Sequence, residues 1–199
     1  MRMVRRLAAI AFADVVGWTR LVERDDAAAV SAWKAVQREL IEPNIKVFSG
    51  RLIEVAGDAV LVEFPSAVDA VRWAIDLLQR LEDRRAGEPA NPIHMRVGIS
   101  IEDAIVDEDK LLGDGVNIAA RLQGLARPGS VCLSDAAHQF VHRALPLNFE
   151  DLGPQKIKNI DSPIRVYLAR PADAPPSPVL PSVHRRAMAH LARRFHDLC

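Results

Sequence analysis

The sequence predicts an α+β sandwich in which helices pack on one mostly antiparallel sheet. Short β-branched runs alternate with longer stretches in which apolar residues recur at helical spacing. Two of those runs flank Gly57 and Asp58, the pattern of a β-hairpin with a two-residue turn. The chain has 199 residues, of which 49% are hydrophobic and 26% are charged, so it can bury the core of one domain.

The strand candidates are short apolar runs bounded by turn residues. The first run ends at Asp14 and a Gly-Trp-Thr turn, which is typical of a buried strand. The hairpin strands follow Gly50, and another strand precedes the acidic loop 107–110. The predicted strands are residues 7–16, 51–56, 59–64, 93–101, 130–134, 149–153 and 164–169.

Helical periodicity marks the segments between these strands. Apolar residues define a helix over 26–48, with a bend expected at Pro43 because proline lacks the amide hydrogen. Ser66 is placed to cap the next helix, which we expect to end in the polar stretch 82–92. The remaining predicted helices are residues 115–126 and 135–143.

Composition excludes several classes of function. The 26 basic and 26 acidic residues cancel, so no net field attracts nucleic acid or an anionic membrane. No apolar run approaches the roughly 20 residues that span a bilayer, and we expect no membrane association. The basic and apolar start lacks a small-residue cleavage site, which favours a strand over a secretory signal. Cys132 and Cys199 form no disulfide framework, which predicts a reducing, cytoplasmic setting.

A change in composition near residue 171 divides the chain. Residues 1–170 carry all the strand signals and the helices between them, and are predicted to form one globular domain. Residues 171–182 are rich in proline and predict an extended linker. Residues 183–199 have apolar residues at helical spacing among arginines, which predicts a short basic amphipathic helix or tail.

Two carboxylates are the first candidates for chemistry. Asp14 ends the first strand and Asp58 lies at the tip of the hairpin, so both reach one edge of the sheet if these elements are neighbours. Paired carboxylates without histidine or thiolate suit magnesium, which also takes phosphate oxygens from a nucleotide. The turn after Asp14 offers phosphate contacts through the backbone N–H groups and the hydroxyl of Val16, Gly17, Trp18 and Thr19.

A second candidate pair lies on the predicted helix 115–126. Asn117 and Arg121 are four residues apart and therefore project from the same helical face. Most such pairs are only solvated. Arginine nevertheless suits charge that develops on a phosphoryl group, and asparagine can orient a sugar hydroxyl.

Five segments in order resemble the class III adenylate/guanylate cyclase catalytic domain, in particular the bacterial type. They are FADVVGWTRL, GRLIEVAGDAVLVEF, MRVGIS, LLGDGVNIAARLQGLARPGSVCLS and DLGPQKIKNIDSPIRVY. The resemblance implies a ferredoxin-like core and a head-to-tail homodimer with active sites at the interface. It also implies conversion of a nucleoside triphosphate to the 3′,5′-cyclic monophosphate and pyrophosphate, with two Mg²⁺ or Mn²⁺ ions per site.

The resemblance assigns roles to individual residues. The implied metal ligands are the carboxylates of Asp14 and Asp58 and the backbone carbonyl of Val15. One metal would lower the pKa of the ribose 3′-hydroxyl and the other would neutralise the leaving pyrophosphate. Asn117 and Arg121 match the transition-state pair, which the other subunit contributes. Lys158 aligns loosely with a residue that contacts the triphosphate, but the pattern favours an ordinary surface lysine.

The positions that select the base depart from the pattern. Adenylate cyclases usually carry Lys three residues before the hairpin glycine and Asp or Thr seven residues before the transition-state asparagine; here these are Glu54 and Lys110. Glu54 resembles the guanylate cyclase choice, and Lys110 resembles neither. The two could read guanine through N1–H, N2–H₂ and O6, or adenine through N6–H₂ and N1, or pair with each other. A shift of one residue would put Asp109 at the selecting position.

Three functions therefore stay open at this point. Adenylate cyclase is favoured because most bacterial proteins that look like this one make cyclic AMP. The alternatives are a guanylate or dual-specificity cyclase, and a catalytically impaired dimer that binds nucleotide and regulates another protein. A diguanylate cyclase is excluded because the hairpin reads AGDAV where that family has a GG(D/E)(D/E)F turn.

Overall fold

One eight-stranded sheet organises the part of the chain that the computed structural model describes, residues 4–87, 93–107, 110–157, 160 and 162–172. The strands are β1 (Val4–Val15), β2 (Arg51–Ala56), β3 (Ala59–Phe64), β4 (Met95–Asp107), β5 (Lys110–Leu112), β6 (Val131–Ser134), β7 (Leu147–Gln155) and β8 (Ile164–Pro171). The helices are α1 (Trp18–Arg24), α2 (Asp26–Val36), α3 (Glu42–Val47), α4 (Ala67–Gly87), α5 (Asp114–Leu125) and α6 (Asp135–Val141).

The sheet runs in the order β2-β3-β1-β4-β6-β8-β7, and β5 pairs with β4 beside this path. All of these pairs are antiparallel except that of β4 with β6. The predicted α+β sandwich with a mostly antiparallel sheet is therefore confirmed. Strand β1 lies inside the sheet, with β3 on one side and β4 on the other.

The two faces of the sheet carry different helices. On one face, Ala9, Ala11 and Ala13 of β1 pack with buried residues of α2, α3, α4 and α6. On the other face, Ile10 and Phe12 pack beneath α5. Because side chains alternate along a strand, Asp14 belongs to the α5 face.

The hairpin and the Ser66 cap form as expected. Gly57 and Asp58 join β2 to β3, and α4 begins at Ala67 with the Ser66 hydroxyl accepting the Asp69 N–H at 3.4 Å. The helix predicted over 26–48 forms as a continuous helical run, in which a π-helical stretch, Gln37–Ile41, joins α2 to α3. Pro43 lies directly after this wider π turn, so the bond that its missing amide hydrogen cannot make falls beside the irregular part of the helix.

Helix α4 ends at Gly87, inside the polar stretch 82–92 as expected; Leu81 is still in the core and Glu82 pairs with Arg85 one turn later. The predicted end of the next strand was wrong. Strand β4 continues to Asp107, because its second half pairs with both β1 and β5. The sequence alone shows polar residues there and no partner for them.

The C-terminal predictions lie outside the described residues from 173 onward, so the linker and the basic helix stay predictions. β8 ends at Pro171, next to the predicted domain boundary. Among the described residues, no helix has the length and apolar character needed to cross a bilayer.

Gly98 of β4 permits the close approach of α5 to the sheet. A Cβ atom at this position would lie 2.1 Å from the Gln123 backbone N and 2.2 Å from the Ala119 backbone O. Gly98→Ala should therefore lower the free energy of unfolding by about 1–3 kcal/mol, because two backbones would have to separate. The urea midpoint measures this. Gly87→Ala is the control, since a Cβ atom added there would meet nothing within 4 Å; equal losses in both variants would contradict the steric cause.

Candidate active site

The end of β1 meets the turn of the hairpin, as the sequence analysis expected. Asp14 pairs in register with Ala59, and the Val15 N–H donates to the Asp58 carbonyl at 3.2 Å. Antiparallel pairing of β1 with β3 thus brings the two aspartates to the same end of the sheet. Their 44-residue separation in sequence is closed by these strand contacts.

The turn that carries Asp58 is held from the opposite face of the sheet. Gly57 has a φ of 65°, a conformation that glycine adopts without steric cost. The Trp33 indole N–H of α2 donates to the Gly57 carbonyl at 2.8 Å, and Trp33 is itself buried. The position of Asp58 is therefore fixed by the hydrophobic packing of α2 as well as by the strand ladder.

Both aspartates are buried, Asp14 at 7% and Asp58 at 8% exposure. Burial raises the pKa of Asp14, while the Arg96 guanidinium and the Gln123 amide oppose that rise. Burial and then the charge of Asp14 raise the pKa of Asp58 to about 6. The carboxylates are thus close enough to repel each other, as expected of groups that share one cation.

The structure adds two residues that the sequence analysis missed. Arg96 of β4 is in register with Asp14, with Nε 3.6 Å from Oδ1. Gln123 of α5 is buried at 3% exposure on the same side. Each could have been suspected as a polar residue at an apolar position, Arg96 between Met95 and Val97 and Gln123 after Leu122.

The donor set fits a divalent cation. Asp14 Oδ1 is buried without a hydrogen-bond partner among the described residues. In that part of the chain, no cluster of three or more His, Cys, Asp or Glu residues suits a metal. Two carboxylates alone would leave several coordination positions for water and phosphate oxygens, which is the way magnesium is usually held beside a nucleotide.

The turn that we predict to contact phosphate lies between β1 and α1, and the structure shows which of its N–H groups are already bonded. Helix α1 begins at Trp18 directly after β1, and its preceding residue Gly17 makes no side-chain cap. The first N–H groups of a helix lack intrahelical partners, so those of Trp18 and Thr19 are open to a ligand. The Val16 N–H is not open, because it donates to the His94 carbonyl at 2.8 Å.

Asn117 and Arg121 lie on α5 but face away from the aspartates of their own chain. The buried residues of α5 include Val116, Ala119 and Gln123, whereas Asn117 is exposed and Arg121 half-buried. At about 100° per residue, Gln123 and Arg121 point roughly 200° apart around the helix. The outward pair is therefore available to a neighbouring molecule.

The base-selecting candidates are only partly described. Glu54 is in register with Leu61, which places it on the α5 face with Asp14. A β-bulge between Leu52 and Glu54 sets this register. Lys110 forms part of β5, but its side chain, like the whole of Asp109 and Lys158, lies outside the described residues.

Comparison with known proteins decides the family. Residues 5–169 match the family described as adenylate and guanylate cyclase catalytic domain. The chain belongs to the class III adenylate/guanylate cyclases. A relative named putative adenylate cyclase 3, from Rhizobium meliloti, is 40% identical over 188 residues, which are 89% of this chain and 32% of that protein. This chain thus spans about a third of the length of that relative.

Solved structures support the same family. An adenylate/guanylate cyclase/hydrolase from Silicibacter pomeroyi is 38% identical with a TM-score of 0.80, over 85% of this chain and 99% of that one. The adenylyl cyclase CyaB from P. aeruginosa shares the cyclase fold with a TM-score of 0.76 at 21% identity, over 90% of this chain and 100% of that one. This chain is therefore a nucleotide cyclase catalytic domain.

The raised pKa of Asp58 predicts a pH-dependent stability for the metal-free domain. The folded state holds the Asp58 proton up to pH about 6, whereas the ordinary value is 3.8. The stability from this proton is fully present below pH about 4 and is lost as pH rises through 6. In EDTA, Asp58→Asn should therefore become more stable than wild type as pH rises, by about 1–3 kcal/mol at pH 7.

Urea unfolding of both proteins from pH 4 to pH 7 would measure this difference. Asp83→Asn, at an exposed position of α4, is the control for removal of a carboxyl group. A difference between wild type and Asp58→Asn that stays constant across this range would contradict the assigned effect of burial and of the Asp14 charge.

Proposed function

We propose that this domain is an adenylate cyclase that converts ATP to 3′,5′-cyclic AMP and pyrophosphate in cyclic-nucleotide signalling. The observation that carries the proposal is the buried Asp14–Asp58 pair with its unpartnered carboxylate oxygen. ATP is favoured by the 40% identical relative that bears the adenylate cyclase name. Residues 1–170 form the catalytic domain in this proposal, and the lack of a disulfide framework supports a cytoplasmic setting.

Asp14, Asp58 and the Val15 carbonyl are proposed to hold two Mg²⁺ or Mn²⁺ ions. When bound, such ions supply Lewis-acid chemistry that activates the ribose 3′-hydroxyl and neutralises the leaving pyrophosphate. The chain itself contributes the position of the two carboxylates. Because they are buried at the end of a rigid strand, solvent cannot compete with them for the ions. Burial and then repulsion by Asp14 raise the pKa of Asp58, and a shared cation would offset both costs.

The residues around the carboxylates suit a triphosphate. The N–H groups of Trp18 and Thr19 lie at the N-terminus of α1, and the Thr19 hydroxyl provides a further donor. Arg96 adds a guanidinium beside Asp14, so that positive charge remains available when phosphate oxygens arrive. Lys158 stays a proposed contact to the same group.

Asn117 and Arg121 are proposed to act on the site of a second copy. On the outer side of α5 they cannot serve the aspartates beneath the same helix, which favours a homodimer with shared sites. Arg121 would offset charge on the α-phosphate, and Asn117 would hold the ribose for in-line attack. Each dimer then has two sites, each built from both chains.

The base is proposed to contact Glu54 and Lys110. A carboxylate at position 54 also favours a second candidate, a guanylate or dual-specificity cyclase, because it can accept from both N1–H and N2–H₂ of guanine. The location of Glu54 on the Asp14 face agrees with either base.

A product assay with ATP and GTP supplied separately, with Mg²⁺ or Mn²⁺, tests the substrate. We expect cyclic AMP from ATP. The Asp58→Ala variant is the negative control, and it should lower the rate by at least about 10²-fold. Cyclic GMP alone would establish the guanylate candidate and identify Glu54 as the selecting residue. No product from either nucleotide, with an intact dimer, would favour the regulatory nucleotide-binding dimer.

Mixing two inactive variants tests the shared site. Asp58→Ala removes a metal ligand and Arg121→Ala a transition-state contact, so each alone should lose about 10²–10³-fold in kcat. Random exchange of subunits makes half of the dimers mixed, each with one intact site, so about a quarter of wild-type activity should return.

Size-exclusion chromatography of differently tagged subunits must show that mixed dimers form. Mixed dimers that remain inactive would overturn the shared-site arrangement. Asp58→Ala mixed with wild type is the matched control, since it measures how one damaged chain affects an otherwise intact site.

A further inference from the structure

Gln123 is a polar residue on the buried side of α5. It is 3% exposed, and its neighbours Ala119 and Leu122 are fully buried. A core position on a helix favours an apolar side chain unless an amide has a partner to meet. Gln123 therefore needs a reason beyond packing.

Three unpartnered polar atoms meet at this position. Gln123 Nε2, Asp14 Oδ1 and Arg96 Nε are buried, and none has a hydrogen-bond partner among the described residues. Arg96 Nε lies 3.6 Å from Asp14 Oδ1, longer than a good hydrogen bond. The Gln123 amide also approaches the Asp14 carboxylate, where with Arg96 it opposes the rise in pKa that burial causes. The three side chains come from three elements, α5, β1 and β4.

The backbone of α5 is fixed where Gln123 leaves it. The space for a Cβ at Gly98 is filled by the Gln123 backbone N at 2.1 Å and the Ala119 backbone O at 2.2 Å. Two turns earlier, the Ser100 hydroxyl donates to the Gly115 carbonyl at 2.9 Å. Because the helix cannot shift against β4, the Gln123 side chain reaches Asp14 from a defined point.

We propose that Gln123 is a positioning residue for the Asp14 carboxylate. With a cation bound, its amide N–H would donate to one carboxylate oxygen and leave the other to the cation, while Arg96 faces the same group from β4. This role rests on the proposed function, because the oriented carboxylate is a metal ligand there. Gln123 acts within the chain that supplies the aspartates, although the same helix presents Asn117 and Arg121 to the partner.

Gln123→Met separates this role from packing. Methionine keeps the length and apolar contacts of glutamine and loses the amide donor. Leu122→Met is the matched control, since it changes the adjacent buried position of α5 without facing Asp14. Gln123→Glu keeps the shape and adds a negative charge beside Asp14, so it should not rescue the loss.

Manganese binding measures positioning without turnover. We would titrate each dimer with Mn²⁺ in the presence of a non-cyclisable ATP analogue and follow free Mn²⁺ by electron paramagnetic resonance. Gln123→Met should weaken Mn²⁺ binding by about 10-fold, the usual effect of removing a partner that orients a metal ligand. Leu122→Met should leave it unchanged. Wild-type Mn²⁺ affinity in folded Gln123→Met dimers would overturn the proposal.

Mixed dimers then show in which chain Gln123 acts. Placed in the Arg121→Ala chain, whose aspartates form the intact site, Gln123→Met should raise the Mn²⁺ concentration for half-maximal activity. Placed in the Asp58→Ala chain, it should leave that concentration unchanged. Equal effects from both chains would assign Gln123 to the packing of α5. If the wild type makes no cyclic nucleotide, the proposed function fails, while the Mn²⁺ titration still decides the role of Gln123.

Discussion

Two carboxylates, Asp14 and Asp58, share one buried end of the sheet, and the cost of burying their charges, with the repulsion between them, sets the main constraint on the residues around them. Removing a charge from water costs several kcal/mol unless partners replace the solvent. The pKa of Asp58, raised to about 6, records the part of that cost which this chain leaves uncompensated. Arg96 and Gln123 offset the cost at Asp14 incompletely, since neither forms a full hydrogen bond with it. We propose that a divalent cation supplies the compensation that these side chains leave incomplete.

Strand β1 keeps this pair together. It is paired on both sides and packed on both faces, so the position of Asp14 depends on the core on both faces of the sheet. Asp58 depends on a hairpin turn that the Trp33 indole ties to the opposite layer. Helices on both faces therefore contribute to the geometry of a site that lies on only one of them.

Helix α5 connects the two halves of the proposed dimeric site. Its inner side presents Gln123 to the aspartates of the same chain, and its outer side presents Asn117 and Arg121 to solvent. The absence of a side chain at Gly98 allows the helix to lie directly on β4. The contact between α5 and β4 thus fixes residues that we propose to serve two different sites of a class III cyclase dimer.

The sequence by itself determined the fold class, the hairpin, the family and the candidate residues Asp14, Asp58, Asn117 and Arg121, because local periodicity, turn chemistry and motif order are written along the chain. Only the tertiary structure decided the end of β4, which depends on strand partners distant in sequence. It also showed that the Val16 N–H is already bonded to a backbone carbonyl and that Arg96 and Gln123 lie beside Asp14. Such residues escape a sequence pattern because their role comes from burial beside a charge, and burial is a property of the packed chain.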